Sequence, residues 1–239
     1  MERVDEICSI LLGDDEALPD AVLLQEVDCA MLSRLNARLG GNGRYQYHPA
    51  RIPLEQGYFT MLYTRATTVT VEESSRSDFP GSCMGRDLTS VRCKFNGKSL
   101  LLMTSHMESE KSSTDERKAQ FGQVVQKLLD FRGGRAIFAG DTNLREPEVK
   151  QEKRAKLVGD VWQLCGSNPN DRFTWDMAKN DNLEFGNGFK PRARYDRIFV
   201  NQMAKPCARS FSLLGTARMA PPESCFPSDH FGMYSTFEW

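Results

Sequence analysis

Acids, amides and histidines follow apolar stretches of the sequence at five places. These places are Val22–Glu26, Leu101–Ser109, Ile137–Arg145, Tyr195–Phe199 and Pro227–His230. The end of a strand is where a rigid scaffold presents side chains to a binding or catalytic site. Carboxylates bind hard cations and exchange protons, and histidines exchange protons near neutral pH. The pattern therefore predicts a single polar site assembled from several strand ends.

The histidines support this interpretation. The chain has three, and two of them, His106 and His230, fall inside the strand-end segments, whereas His48 does not. A single histidine is more often a packed or exposed residue than a catalytic one. The neighbouring acids at the two strand ends favour a functional role for His106 and His230.

Hydrophobic periodicity predicts the elements that must position these residues. Helical stripes run over Val4–Leu12 and from Ala30 to Leu39, and Ser113 and Glu116 match a capping box that opens a third helix. Runs rich in apolar, β-branched or aromatic residues predict strands at Ala21–Gln25, Tyr58–Tyr63, Thr67–Val71, Leu88–Phe95, Lys98–Ser105, Arg135–Ala139, Tyr195–Val200, Arg209–Leu214 and Phe231–Phe237.

The order of these elements indicates the fold class. Asn96-Gly97 between two strands is a strong hairpin signal. The strands do not alternate strictly with helices, which favours an α/β fold with two packed sheets over a doubly wound sheet. No repeat or low-complexity linker divides residues 1–239, so we expect one domain.

Composition limits the function classes. The 239 residues are 40% apolar and 26% charged, with a net charge of -1, which is typical of a globular protein. No apolar run is long enough to cross a bilayer and no secretory signal is visible. Seven cysteines without a C-x-x-C pair favour a reducing intracellular compartment. Residues 190–218 carry seven basic side chains and one acid, which suits an anionic partner or, alternatively, a solvated loop.

Several motifs resemble the exonuclease–endonuclease–phosphatase superfamily. LQE, GDTN, YDRIF and SDH carry this likeness, and the longer GYFTM, LMTSHMES, FAGDTNLRE, FTWD and FPSDHFG are similar to the tyrosyl-DNA phosphodiesterases within it. The likeness covers nearly the whole chain. It implies a four-layer α/β/β/α sandwich of two mixed sheets flanked by helices.

The resemblance also implies an activity. We expect a Mg²⁺-dependent DNA-repair enzyme, with Mn²⁺ able to substitute, that hydrolyses 5′-phosphotyrosyl bonds between DNA ends and trapped topoisomerase II. It implies a monomer in the nucleus, with some in the cytoplasm, and no membrane association. Two alternatives stay open: another metal-dependent phosphohydrolase of this fold (abasic endonuclease, deadenylase or inositol-phosphate phosphatase), or an inactive DNA- or protein-binding module.

The residue types assign roles for such a reaction. Glu26 supplies an oxygen ligand for the metal. Asp141 can accept the proton of the attacking water, and Asn143 can orient that water or the phosphate.

The histidines can stabilise the charge that develops on the phosphate. His106 and His230 can donate hydrogen bonds to its non-bridging oxygens. Asp229, adjacent to His230, is one candidate for the acid that orients a histidine, and Asp196 is the other. Asp196 could instead form a structural ion pair with a neighbouring arginine.

Substrate contacts are expected on both sides of the phosphate. The candidates for holding the phosphate and its surroundings are Glu108, Ser109, Lys111, Leu144, Arg145 and Arg86. Tyr58, Trp175 and Tyr195 could stack on a nucleotide or on the phenol.

One departure from the superfamily pattern concerns the first strand. Its members normally begin with a strand that carries an asparagine in a Trp-Asn-Ile-Asp-Gly-like motif, and no such motif precedes Leu23. We therefore expect an N-terminally truncated domain that lacks its first strand. The predicted strand Ala21–Gln25 would then be a buried strand without one of its neighbours.

Overall fold

Helices and strands alternate irregularly in the computed structural model, which describes residues 2–13, 18–48, 57–201 and 207–238. The helices are α1 (Glu2–Leu12), α2 (Cys29–Leu39), α3 (Thr114–Asp130), α4 (Glu146–Gln151) and α5 (Val161–Leu164). The strands are β1 (Ala21–Val27), β2 (Tyr45–His48), β3 (Phe59–Arg65), β4 (Val69–Asp78), β5 (Asp87–Phe95), β6 (Lys98–Thr104), β7 (Arg135–Asp141), β8 (Gly159–Asp160), β9 (Trp175–Asp176), β10 (Arg192–Ala193), β11 (Asp196–Val200), β12 (Ala208–Leu214) and β13 (Gly232–Phe237).

The larger sheet has six strands in the order β4-β5-β6-β7-β11-β8. Strands β6 and β7 are parallel and are joined through α3, whereas the other neighbours are antiparallel. The predicted hairpin turn between β5 and β6 is confirmed. Asn96 and Gly97 both have positive φ, 49° and 76°, as a two-residue turn that matches strand twist requires.

Three apolar clusters separate the layers of the fold. One contains Phe121, Phe138 and Phe199 and lies between α3 and the large sheet. A second, around Ile137 and Leu62, combines residues of the six-stranded sheet, of β1 and β3, and of the pair β12–β13. The third joins α1 and α2 to the sheet of β1, β3 and β2. Because neighbouring residues of a strand face opposite sides, Ile137 and Phe138 enter different clusters. The predicted α/β class, with sheets flanked by helices, is confirmed. Only the six-stranded sheet is mixed, however, because β1, β3 and β2 pair antiparallel.

The strand that leads to Glu26 differs from the expectation. Within the described residues, β1 pairs only with β3, in a sheet of order β1-β3-β2, and only Val22 and Val27 of β1 are buried. The single pairing fits the expected absence of a first strand, whereas the prediction that Ala21–Gln25 is buried is wrong, since most of β1 is only half-buried. It also continues to Val27, with an irregular register between Leu24 and Val27.

Helix starts show what local motifs can and cannot determine. Helix α2 begins one residue earlier than predicted because Asp28 caps it, accepting a hydrogen bond from the Met31 amide at 2.7 Å. The predicted capping box at Ser113 does not form. A 3₁₀ turn at Lys111–Ser113 precedes α3, and Ser113 makes no side-chain cap.

Helix α4 is fixed by buried ion pairs. Arg117 is fully buried and its guanidinium contacts Glu148 at 2.7 Å. Glu146 contacts Arg194 at 3.2 Å and Arg197 at 3.0 Å, and both arginines also contact Asp160. This second group, Glu146, Asp160, Arg194 and Arg197, is called the four-charge cluster below. These contacts hold the segment that follows Asp141 and carries Asn143.

Strands β6 and β7 approach each other very closely at the point where both end. A β-carbon on Gly140 would collide with the backbone carbonyl oxygen of Ser105. Gly140 and Ser105 immediately precede Asp141 and His106. The absence of a side chain at position 140 therefore sets how close these two functional residues lie.

We expect Gly140→Ala to lower the free energy of unfolding by about 1–3 kcal/mol, because the added methyl group forces the two backbones apart. Urea unfolding measures the change. Gly133→Ala is the matched control, since a β-carbon there meets no atom within 4 Å. Equal stabilities of the two variants would contradict the proposed close approach.

Candidate active site

The pairing of β7 with β11 brings two acids together. Asp141 and Asp196 are direct partners in the antiparallel register, so their side chains lie on the same face, about 5 Å apart at Cβ. His230 lies beside these two acids, and its backbone forms an antiparallel β-bridge with Trp175, the first residue of β9. Ligand atoms of Asp141, Asp196 and His230 all lie within 4.8 Å of one another.

Asp196 holds His230. Nδ1 of His230 lies 2.7 Å from Oδ2 of Asp196. Burial would lower the pKa of His230, but the carboxylates of Asp196, Asp141 and Asp229 raise it to about 10. Burial would likewise raise the pKa of Asp196, but the neighbouring His230 holds it below its usual value. The pair is therefore an imidazolium–carboxylate pair at neutral pH.

This geometry decides between the two candidate orienting acids. Asp196 is the hydrogen-bond partner of Nδ1 of His230. Asp196, and not Asp229, is therefore the acid that orients this ring. Residues adjacent in an extended segment point in opposite directions, which is why Asp229 cannot easily reach the ring that follows it. The alternative ion pair of Asp196 with an arginine is also excluded, because Arg194 and Arg197 contact Asp160 and Glu146.

Asp141 differs from Asp196 in this respect: among the described residues, no cationic side chain forms a hydrogen bond with it. Burial and the Asp196 carboxylate raise its pKa, although the His230 imidazolium opposes them. Its Oδ1 accepts a hydrogen bond from the Asn143 amide at 2.9 Å, and its Oδ2 lies 3.4 Å from Nε2 of His106. A carboxylate whose pKa is raised toward neutrality is suited to accept a proton from water.

His106 lies in a more confined and more cationic environment than His230. It is 5% exposed, and Nη1 of Arg86 lies 3.0 Å from its Nδ1. Burial and the Arg86 charge lower the pKa of His106 to about 3. His106 is therefore neutral, so the site contains one charged and one neutral imidazole.

Glu26 reaches the site from the smaller sheet. Its carboxylate is 63% exposed and lies 3.8 Å from Nδ1 of His106. Its φ of 58° is uncommon for a residue with a side chain and falls at the irregular step of β1. The backbone thus turns the Glu26 carboxylate towards His106 instead of letting it follow the strand.

The residues present fit a hard divalent cation. Such an ion takes few protein carboxylates and keeps several waters, and the exposed oxygens of Glu26 leave room for them. Asp141, Asp196 and His230 form the other group that could hold a metal. Since Asp196 and His230 bind each other at 2.7 Å, Asp141 is the member of that group that is not committed to this pair.

Asn143 and Arg145 follow Asp141 in a constrained segment. Asn143 has a φ of 51°, and its side-chain amide donates to the Met107 carbonyl at 3.2 Å. Arg145 donates to the Asn143 carbonyl at 3.0 Å, and its guanidinium lies 5.6 Å from the centre of the Tyr195 ring. Arg145 thus faces the aromatic side of the site.

Aromatic rings lead outwards from His230. The centre of the Tyr195 ring is 6.4 Å from that of His230, Trp175 is 5.7 Å further on, and Phe185 is 6.0 Å beyond Trp175. Phe185 is 50% exposed. We call Tyr195, Trp175 and Phe185 the aromatic track. Phe185 was not predicted from the sequence, since its surroundings contain no motif.

A shallow pocket borders His106 and Glu26. Its lining residues are Glu26, Tyr58, Phe59, Thr60, Met84, Gly85, Arg86, Asp87 and His106. The Arg86 guanidinium lies 5.3 Å from the centre of the Tyr58 ring. The predicted Tyr58 and Arg86 are thus adjacent to each other and to the site, whereas Thr60 and Asp87 were missed because they occur inside ordinary strands.

Two predicted substrate-binding side chains, Glu108 and Leu144, do not face the site. Glu108 is fully buried and Leu144 is 1% exposed within the cluster under α3, so neither side chain can contact a substrate. Lys111 is exposed in the 3₁₀ turn before α3. Ser109 is nearer, since its carbonyl accepts from Arg145 at 3.4 Å. His48, which was not placed in the site, lies 3.1 Å from the Thr64 hydroxyl.

A family model described as the endonuclease/exonuclease/phosphatase family matches residues 2–230. The chain belongs to this family. It is 35% identical to tyrosyl-DNA phosphodiesterase 2 of Gallus gallus over 99% of the chain and 34% identical to that of Homo sapiens over 97%. The chain spans 62% of the length of each of these relatives.

Solved structures give the same result. The crystal structure of D. rerio TDP2 complexed with single-strand DNA product superposes with a TM-score of 0.89 at 34% identity, covering 100% of this chain and 92% of that one. TDP2 from C. elegans superposes with a TM-score of 0.84 at 28% identity, covering 99% and 69%. The expected likeness to tyrosyl-DNA phosphodiesterases is therefore confirmed. Among the described residues, we find no helix with the length and apolar character needed to span a membrane.

The Asp196–His230 pair can be tested by titration. We expect Asp196→Asn to lower the pKa of His230 from about 10 towards the ordinary value near 6.5, because the main anionic partner is removed. NMR titration of the histidine signals measures this shift. Asp229→Asn is the control and should produce a much smaller change. A larger shift in Asp229→Asn would reverse the assignment of the orienting acid.

The same pair affects stability. His230 binds its proton more tightly in the folded than in the unfolded protein, because its pKa is about 10 when folded and near 6.5 when unfolded. This difference stabilises the fold fully below pH 6.5, and the stabilisation is lost as the pH rises through about 10. The stability difference between the wild type and Asp196→Asn should accordingly be larger at pH 6 than at pH 10.

Proposed function

We propose that this chain hydrolyses 5′-phosphotyrosyl bonds at DNA ends with the help of Mg²⁺, leaving a 5′-phosphate and free tyrosine. The observation that carries the proposal is that Asp141, Asp196 and His230 lie within 4.8 Å of one another, with the aromatic track leading outwards from His230. Rings of this kind can stack on a nucleobase or on the phenol of the substrate. The names of the relatives, tyrosyl-DNA phosphodiesterase 2, support the same reaction.

Asp141, His230 and His106 have different roles in the proposed reaction. Asp141, with its raised pKa, accepts a proton from the attacking water. The His230 imidazolium donates a hydrogen bond to a non-bridging phosphate oxygen, and neutral His106 donates another. The tyrosine phenolate, with a pKa near 10, is a good leaving group and requires no strong acid.

The metal would be held by Glu26, with water completing its coordination. When bound, Mg²⁺ supplies positive charge that stabilises the negatively charged phosphate in the transition state. Mn²⁺ should substitute because it also accepts oxygen ligands.

DNA would lie along the aromatic track. Bases stack on exposed aromatic rings, each contact contributing about 1–3 kcal/mol, and Arg145 beside Tyr195 can approach the backbone phosphate. The D. rerio TDP2 structure complexed with single-strand DNA product supports a single-stranded end as the ligand. We further propose that the substrate is an end carrying trapped topoisomerase II and that the protein acts as a nuclear monomer, with some in the cytoplasm.

An oligonucleotide with a 5′-phosphotyrosine tests the reaction directly. We expect Mg²⁺-dependent release of tyrosine and a 5′-phosphorylated product, and no reaction in EDTA. A parallel oligonucleotide with an abasic site should stay intact. Cleavage of the abasic substrate alone would overturn the proposal in favour of another phosphohydrolase activity.

Asp141→Asn should lower kcat by about 10²- to 10⁴-fold, because the proton acceptor is lost. DNA binding, measured by fluorescence anisotropy, should hardly change, since Asp141 acts on the water. Retention of more than a tenth of the wild-type kcat would exclude Asp141 as the proton acceptor.

Glu26→Gln should shift the Mg²⁺ concentration for half-maximal activity upwards, because a neutral amide replaces an anionic ligand. High Mg²⁺ should restore part of the rate. Glu73→Gln, at an exposed glutamate of β4, is the control. An unchanged Mg²⁺ titration in Glu26→Gln would place the metal elsewhere.

A further inference from the structure

Glu108 is a buried acid that the proposed mechanism does not use. It lies two residues beyond His106 and is fully buried. Its Oε1 accepts a hydrogen bond from the Ser82 hydroxyl at 2.6 Å and another from the Met84 amide at 3.1 Å. Its Oε2 has no hydrogen-bond partner among the described residues. Burying an acidic group is costly unless hydrogen bonds compensate it, and here only Oε1 is compensated.

Ser82 transmits this contact to Arg86. The Ser82 hydroxyl donates to Glu108 and accepts from the Arg86 amide at 2.7 Å. Glu108 therefore anchors both ends of the turn between Ser82 and Arg86 to the segment that carries His106. We call the contacts among Glu108, Ser82 and Arg86 the loop anchor.

The anchored turn brings Arg86 against His106. The Arg86 side chain is buried, and Nη1 lies 3.0 Å from Nδ1 of His106. A guanidinium can only donate hydrogen bonds, so Nδ1 must be the acceptor. In a neutral ring the proton is then on Nε2, the nitrogen that lies 3.4 Å from Oδ2 of Asp141. The position of Arg86 thus selects one of the two neutral forms of His106.

We propose that Glu108 is a positioning residue, which through Ser82 holds Arg86 against Nδ1 of His106 and so presents the Nε2–H of His106 to the reacting phosphate. Only the identity of the group that receives this hydrogen bond rests on the proposed function. Without the loop anchor, Arg86 would move with its turn, and His106 would populate both neutral forms. In the Nδ1–H form, Nε2 carries no proton and cannot donate to a phosphate oxygen.

The tautomer can be read from the free protein without substrate or added metal. In ¹⁵N-histidine-labelled protein, long-range ¹H–¹⁵N spectra identify the protonated ring nitrogen, and His106→Asn assigns the His106 signals. We expect the Nε2–H form in the wild type and a mixture of both forms in Ser82→Ala and Glu108→Ala. Glu108→Gln should restore the Nε2–H form, because its amide oxygen can still accept from Ser82 and Met84.

Kinetics give the second readout. We expect kcat for a phosphotyrosyl oligonucleotide to fall about tenfold or more in Ser82→Ala, since small displacements of a catalytic group have large effects, with little change in KM. Glu108→Gln should recover most of the rate. Glu110→Ala is the control, because the exposed Glu110 is connected to the fold through its carbonyl, which accepts from Arg117.

Ser82 lies in a partly exposed loop, so Ser82→Ala keeps the test valid even where Glu108→Ala does not fold. An unchanged His106 tautomer in a folded Ser82→Ala protein would overturn the proposal, as would the Nδ1–H form in the wild type. If the chain cleaves no phosphotyrosyl bond but the spectra change as expected, the proposed function fails and the positioning of His106 by Glu108 stands.

Discussion

The site depends on the repulsion between two carboxylates that the sheet forces together. Register pairing of β7 with β11 places Asp141 opposite Asp196, and two buried anions at this separation are not stable without compensation. His230 supplies the compensating charge and binds Asp196 at 2.7 Å. One acid is thus committed to orienting a cation. The other keeps a raised pKa and stays available for proton transfer, which is how neighbouring carboxylates acquire different roles.

Local sequence patterns were sufficient for much of the fold. The Asn96-Gly97 turn, the stripes of α1 and α2 and most strands follow from period and turn chemistry, which act over a few residues. The half-buried state of β1 did not follow from them, because a short apolar run does not reveal how completely other elements cover a strand. The capping box at Ser113 failed for a related reason, since the preceding 3₁₀ turn is set by contacts outside the motif.

In the site, too, local patterns predicted some residues, whereas others depend on contacts between distant parts of the chain. The strand-end rule located Asp141, His106 and His230, because the acidic and imidazole groups follow apolar runs directly. It could not choose between Asp196 and Asp229, since register across a sheet is a long-range property. It also could not tell that Glu108 points inwards or that Phe185 extends the aromatic track. These features depend on which face of the chain a neighbouring element covers.

The four-charge cluster behind α4 has a consequence for how this sequence can vary. Two arginines and two acids balance there. Arg194, Arg197 and Asp160 are buried, and removal of one of these charges leaves another uncompensated, at a cost of about 3–5 kcal/mol. Substitutions at Glu146, Asp160, Arg194 and Arg197 are therefore epistatic. A change at one position becomes acceptable only after a matching change at another, so drift at these four sites must proceed in pairs. The segment that carries Asn143 and Arg145 would then remain fixed while the exposed surface diverges.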